Sequence, residues 1–172
     1  SLNRLATAVM QTHRRGGKVY GAAAGRMLFV MQGLVMRLNQ MGIAANCTSD
    51  TYVPPITADD LILALTSSGT THSVVAFGLR AKEKTGAALW MIGCNPDSPL
   101  VRIADGMVLF RPAGSTRALH SVQALPPVDS IQPMNGLNEQ TAALLFDAPI
   151  LELMNESGVT NSAMDARHFN LE

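Results

Sequence analysis

The chain has 172 residues, enough for one ordinary domain and too few for two independent catalytic ones. Hydrophobic residues make up 47% of it, which supplies a sizeable core and excludes intrinsic disorder, and 13 basic side chains balance 13 acidic ones, so no general attraction for a nucleic acid is expected. Charged residues reach only 15%, against roughly 25% in an ordinary soluble domain, and the shortfall predicts a surface partly covered by other copies of the chain.

Apolar residues at Leu2, Leu5, Ala6, Val9 and Met10 follow the period of a helix face, and Gly16-Gly17 ends that helix after Arg15. Residues 18–22 read as a strand, 22–25 as a tight turn and about 26–41 as a long apolar helix. Its apolar run 27–35 is interrupted by Gln32 and followed by Arg37, which fits a buried helix in a soluble protein and no membrane span. Residues 43–47 and 60–65 read as strands, the second fully buried; the polar turn 66–70 then leads into a helix over 71–85. A strand over 87–93, a turn over 95–99, a short helix to Ala104 and a strand over 106–110 follow. From Arg111 to Pro133 a stretch with Pro, Gly and Ser breaks the pattern, of the kind that serves function or faces an oligomer partner. Helices over 137–155 and 161–170 close the chain.

Continuous apolar strands alternating with helices signal a parallel sheet covered on both faces, so the predicted fold class is α/β, a three-layer α/β/α sandwich of about five parallel strands. Cys47 and Cys94 are too few for a disulfide framework and read as buried small hydrophobes. With no secretory signal in the sequence, a reducing cytoplasm is the expected location.

Ligands of open α/β sheets bind beyond the carboxyl ends of the strands. There the segment Thr66-Ser67-Ser68-Gly69-Thr70-Thr71-His72-Ser73 offers up to six hydroxyls at the start of a helix, either a site for a single phosphate or an ordinary Ser/Thr N-cap. It lacks the lysine and the glycine spacing of a Walker loop, and the turn Ala22-Ala23-Ala24-Gly25-Arg26 lacks the further glycines of a dinucleotide fingerprint. Arg26 at a helix start is either a clamp for a phosphate or sugar oxygen or a plain surface charge. His13 beside Arg14 and Arg15 reads as a solvated helix end, and Met27, Met31 and Met36 as core or interface filler rather than a metal or cofactor box. The residues present no metal or cofactor motif, and none is expected. His120, in the irregular stretch, could reach a neighbouring active site but has nothing beside it to argue for that.

Five blocks recur in order along nearly the whole chain: Gly25-Arg26 with Met36-Arg37-Leu38; Asp59-Asp60-Leu61 leading to Ser68-Gly69-Thr70-Thr71-His72-Ser73; Asn95-Pro96-Asp97-Ser98-Pro99-Leu100 with Ala104-Asp105; Pro133-Met134 with Glu139-Gln140-Thr141-Ala142 and Asp147; and Arg167-His168-Phe169-Asn170-Leu171-Glu172. In that order and spacing they resemble the sugar isomerase (SIS) domain family, and within it most the 6-phospho-3-hexuloisomerases of the ribulose monophosphate pathway of formaldehyde assimilation. The resemblance implies a single flavodoxin-like domain over 1–172, usually in a homotetramer, with the helical segment 137–172 contributing oligomer contacts. It implies a metal-independent enzyme whose small-molecule partner is a phosphosugar, interconverting D-arabino-hex-3-ulose 6-phosphate and fructose 6-phosphate. It further implies that Thr66, Ser68, Thr71 and Ser73 hold the phosphate, that Glu139 is the base, and that His168, often supplied across a subunit interface in the family, is a proton shuttle or oxygen ligand. Asp50 stands where the family usually has an acidic residue of the sugar site.

The chemistry suits those residue types. Moving a carbonyl from C3 to C2 means taking the proton from C2, passing through a 2,3-enediol and returning a proton to C3, which one partly buried carboxylate can do. A cation or donor, Arg26 or His168, must steady the enediolate. As bare residues, Glu139 also reads as an acidic group balancing a helix dipole and His168 as a solvated terminal residue.

Where the family has Gly-x-Gly-Arg-Ser, this chain reads Ala23-Ala24-Gly25-Arg26-Met27, which predicts a thioether in place of a ligand-facing hydroxyl and a changed sugar wall. Ser67 replaces a glycine and Asn138 an aromatic. The alternatives to the namesake activity are therefore an isomerase of another phosphosugar and a non-catalytic phosphosugar sensor, which needs Ser68 and Thr71 but not Glu139. Retention of Glu139 with His168 favours the enzyme. Family members commonly carry a further helix ahead of the position of Ser1, which predicts apolar surface where that helix lies.

Overall fold

The computed structural model of the chain describes residues 2–110, 132–133 and 136–171. Helix α1 (Leu2–Arg14) buries Leu5, Ala6, Val9 and Met10 on its one apolar face. Strand β1 (Val19–Ala23), helix α2 (Arg26–Gln40), strand β2 (Ala45–Cys47), strand β3 (Leu61–Leu65) and helix α3 (His72–Thr85) follow. Strand β4 (Ala88–Gly93), helix α4 (Pro99–Ile103), strand β5 (Gly106–Leu109) and helices α5 (Gly136–Ser157) and α6 (Asn161–Asp165) complete the described elements.

The five strands are all parallel in the order β2-β1-β3-β4-β5. Central β3, Leu-Ile-Leu-Ala-Leu, is buried at every residue, as a strand covered on both faces must be. Its alternate side chains divide the core. Leu61, Leu63 and Leu65 join Leu5, Met31, Leu38, Phe146 and Leu153 under α1, α2 and α5. Ile62 and Ala64 join Tyr20, Leu89, Met91, Val74 and Leu100 under α3 and α4. The three layers predicted from the apolar strand pattern are thus present.

Most element ends lie within two residues of the sequence reading, and two of the differences have a visible cause. The second strand begins at Ala45 and not at Ile43, because its partner β1 begins at Val19, opposite Ala45. The last helix stops at Asp165, because Arg167 turns its guanidinium back to the carbonyls of Gln40 and Ala163, each at 3.1 Å, pinning the chain to the end of α2. Among the described residues no helix is long and apolar enough to cross a membrane. The irregular stretch from Arg111, His120 included, lies outside the described residues except for Gln132 and Pro133. Cys47 and Cys94 are both free and buried.

Candidate active site

From β1 the chain crosses to edge strand β2, and from β3 it crosses the other way to β4, so the strand order reverses between β1 and β3. The crevice of such a sheet opens beyond the carboxyl ends of those two strands. Ala23 and Leu65 are paired there. One exit runs through Ala24-Gly25 into α2 and the other through residues 66–71 into α3. Neither helix has a side-chain cap on its first N–H groups and neither carries an acidic residue in its first turn. Two helix starts with open donors and the positive ends of their dipoles therefore border one crevice, as an anion requires.

Thr71 leaves the α3 N–H groups open because its hydroxyl is engaged elsewhere, 2.9 Å from the Thr66 hydroxyl. Thr66 itself is buried, so it orients Thr71 from inside the turn. Ser68 Oγ accepts the Thr70 N–H at 3.2 Å and the Thr70 hydroxyl at 2.9 Å. Ser73 is exposed on the first turn of α3.

The turn is held from the β4 side. Cys94 N–H donates to Ser67 O at 2.9 Å and Asn95 Nδ2 to Ser68 O at 3.1 Å. Gly69 has φ +65, and a Cβ there would run into the Ser98 side chain. Ser98 is fully buried and caps α4, accepting the Val101 N–H at 3.3 Å ahead of Pro99. Sequence reasoning gave Asn95 and Ser98 no role; the Ser-Pro start of a short helix was the available signal.

Glu139 lies in the first turn of α5, where dipole balance alone would leave it facing water. Instead its side chain is 11% exposed and accepts a hydrogen bond from Arg26 Nε at 2.6 Å, while the Arg26 side chain is 73% exposed. Arg26 is the first residue of α2, so the pair sits at the mouth of the crevice.

Asp50 and His168 meet in a different place. They line a cleft of about 440 Å³ with Gln32, Met36, Cys47 and Arg167, further along α2, and Glu139 is not part of its lining. Asp50 Oδ2 accepts the Cys47 N–H at 2.8 Å and closes the turn after β2. His168 Nδ1 lies 3.2 Å from Phe169 O. Within one chain, then, Glu139 and His168 line different surfaces. Met27 corrects the expectation of a thioether facing the ligand: it is buried among the core residues under α2.

Burial, with the Asp50 charge adding to it, pushes the Cys47 thiol up to about 11. Burial, then the Asp60 and Tyr52 charges, also raises the Tyr20 phenol, whose hydroxyl lies 3.3 Å from the Pro54 and Pro55 carbonyls. Asp60 is buried and accepts the Lys18 and Thr57 N–H groups, both at 2.7 Å, fixing the entry to β3. Among the described residues no group of three His, Cys, Asp or Glu side chains is placed to share a metal ion.

No protein-family model matches the chain. The 3-hexulose-6-phosphate isomerase of Bacillus subtilis (strain 168) is 33% identical over 172 residues, 99% of this chain and 86% of that protein. The protein of the same name from Mycobacterium gastri is 35% identical over 156 residues, 91% of this chain and 74% of that one. A Methanococcus jannaschii protein, whose crystal structure was described as inferring a 3-hexulose-6-phosphate isomerase function, superposes with a TM-score of 0.81 at 24% identity, covering 99% of this chain and 85% of that one. At that identity the superposition shows the shared fold.

Proposed function

The chain belongs to the 3-hexulose-6-phosphate isomerase family, and we propose that it is a phosphosugar isomerase interconverting D-arabino-hex-3-ulose 6-phosphate and fructose 6-phosphate. The observation that carries this reading is the position of Glu139, a nearly buried carboxylate held by Arg26 at the mouth of the crevice that the hydroxyl turn borders.

The phosphate is assigned to the open N–H groups of α3 with the hydroxyls of Ser68, Thr71 and Ser73, Thr66 supporting Thr71. With the phosphate there, the reacting carbons lie toward α2 and Glu139. Oε2 takes the C2 proton, the enediolate oxygen is met by the Arg26 guanidinium, and the same carboxyl returns a proton to C3. This sequence uses only groups of the chain and substrate, without a metal. His168 and Asp50 are assigned to the crevice of another copy. Support comes from apolar side chains left in water: Phe29, Met36 and Phe169 beside α2, and Leu144 and Leu151 on α5, the latter pair in the segment 137–172. A homotetramer, a dimer of dimers, in the cytoplasm is the proposed form.

The reading is tested by titrating fructose 6-phosphate into the chain and into Glu139→Gln while following conversion to the 3-ulose. Binding by both with conversion by the unaltered chain alone supports it. Binding without conversion by either supports the sensor, or an isomerase of another phosphosugar.

A further inference from the structure

We propose that Arg26 is a substrate-operated latch on Glu139, an inference that rests on the isomerase function above. The two partners of this ion pair are unequal: Glu139 is 11% exposed and Arg26 73%. The carboxylate is thus sequestered behind a cation that is itself open to whatever enters the crevice.

A guanidinium has five N–H donors in a planar fork. The Nε–H is spent on Glu139 Oε2 at 2.6 Å, and the remaining donors belong to the outer end of an exposed side chain. One of the carboxylate's four lone pairs is directed at the cation, which holds Oε2 turned toward Arg26 and not toward a carbon entering the crevice. Glu139 is parked in the chain without substrate.

An anionic sugar changes the competition. Arg26 opens α2, whose first N–H groups are uncapped, and the equally uncapped start of α3 follows the neighbouring strand. A phosphosugar drawn to this positive end of the crevice presents the fork with sugar oxygens. The guanidinium swings to them and its Nε–H leaves Oε2. The freed oxygen takes the C2 proton, the C2–H electron pair becomes the C2–C3 double bond, and the former carbonyl pair comes to rest on the C3 oxygen, where Arg26 now sits. The O2 hydroxyl then passes its proton to the C3 oxygen, O2 re-forms the carbonyl with C2, the double-bond pair takes a proton back from Glu139 at C3, and as the sugar leaves the latch closes. Arg26 is a positioning residue for the base before reaction and an oxyanion partner during it.

The Arg26 Nε–H resonance, assigned by through-bond correlation to its own backbone, reports the latch directly in the full chain. Without sugar it is expected downfield and slow to exchange with water. Saturation with fructose 6-phosphate is expected to move it and speed its exchange, together with shifts of the amides of residues 66–73. Amide shifts with an unmoved Nε–H overturn the latch and leave the isomerase reading standing; no shift in either place overturns the isomerase reading and the latch with it. In kinetics, Arg26→Lys keeps the charge and loses the fork, and is expected to lower kcat about 100-fold. An unchanged kcat overturns the latch.

Discussion

Arg26 Nε lies 2.6 Å from Glu139 Oε2, joining residues 113 positions apart and tying the first turn of α2 to the first turn of α5. An ion pair with one partner so exposed stabilises a fold by about 1 kcal/mol at most. Arg26→Ala is therefore expected to leave the thermal midpoint within about 5 °C of the unaltered chain while lowering isomerase activity by about 100-fold or more. Calorimetry beside the activity assay separates the two; a large fall in midpoint with activity intact would show the pair to be structural.

Gly69→Ala places a methyl against Ser98 at a position with φ +65. The strain is expected to cost about 1–3 kcal/mol of stability and to raise KM for the phosphosugar by moving the hydroxyl turn. Ser98→Ala, which removes the α4 cap, is expected to cost about 1 kcal/mol. Urea unfolding and KM measurements on both variants check this.

Little in the crevice was legible residue by residue. The hydroxyl-rich turn and Arg26 stand out because they lie directly after strand patterns, where the fold must bind. The partnership of Arg26 with Glu139 was not visible, since it spans most of the chain, and the bracing by Asn95 and Ser98 needs the register of β3 against β4. Met27 drew two readings, and the burial bears out core filler over a ligand-facing thioether. Motif alignment puts it at the ligand, but the helical period, with Met31, Leu34 and Leu38, already placed it on the buried face. The layers were readable because five residues of uninterrupted apolar strand at β3 leave no solvent-facing side.

Cys47 has its thiol raised from 9.0 to about 11 by burial and then by Asp50. Native protein at pH 8 is expected to resist alkylation at this residue and to react once unfolded. As pH rises from 9.0 towards about 11 the unfolded thiol ionises before the folded one, so stability falls across that window. Mass spectrometry after timed iodoacetamide treatment, and unfolding curves from pH 8 to 11, provide the check; fast native labelling contradicts it.

Asp105 contributes to the acid limb. Burial alone would raise its carboxyl, but the hydrogen bonds from Lys82 and from the Leu89 N–H, with the Lys82 charge, bring it below the ordinary carboxylate range. A carboxyl lowered in the folded state contributes stability above its unfolded value, and that contribution is lost as pH falls through the folded one. Asp105→Asn is expected to be less stable at neutral pH and to lose less on acidification. Urea midpoints between pH 7 and 3 test the sign.

The apolar side chains Phe29 and Phe169, 71% and 63% exposed in the single chain, are expected to be covered in the assembled protein. Phe29→Glu is expected to reduce the particle mass measured by light scattering and to lower activity with it, because His168 and Asp50 then lose the crevice they are assigned to. A tetramer mass that withstands the change would move the interface elsewhere.

The role of Glu139 is tested most directly by following solvent deuterium into C3 of fructose 6-phosphate by NMR, with the unaltered chain and with Glu139→Gln. Incorporation at C3 by the unaltered chain, lost in the variant while fructose 6-phosphate still binds, is the predicted result. Equal incorporation by both proteins, or neither incorporation nor conversion to the 3-ulose by either with binding intact, would contradict a proton-abstracting base at Glu139 acting on this sugar.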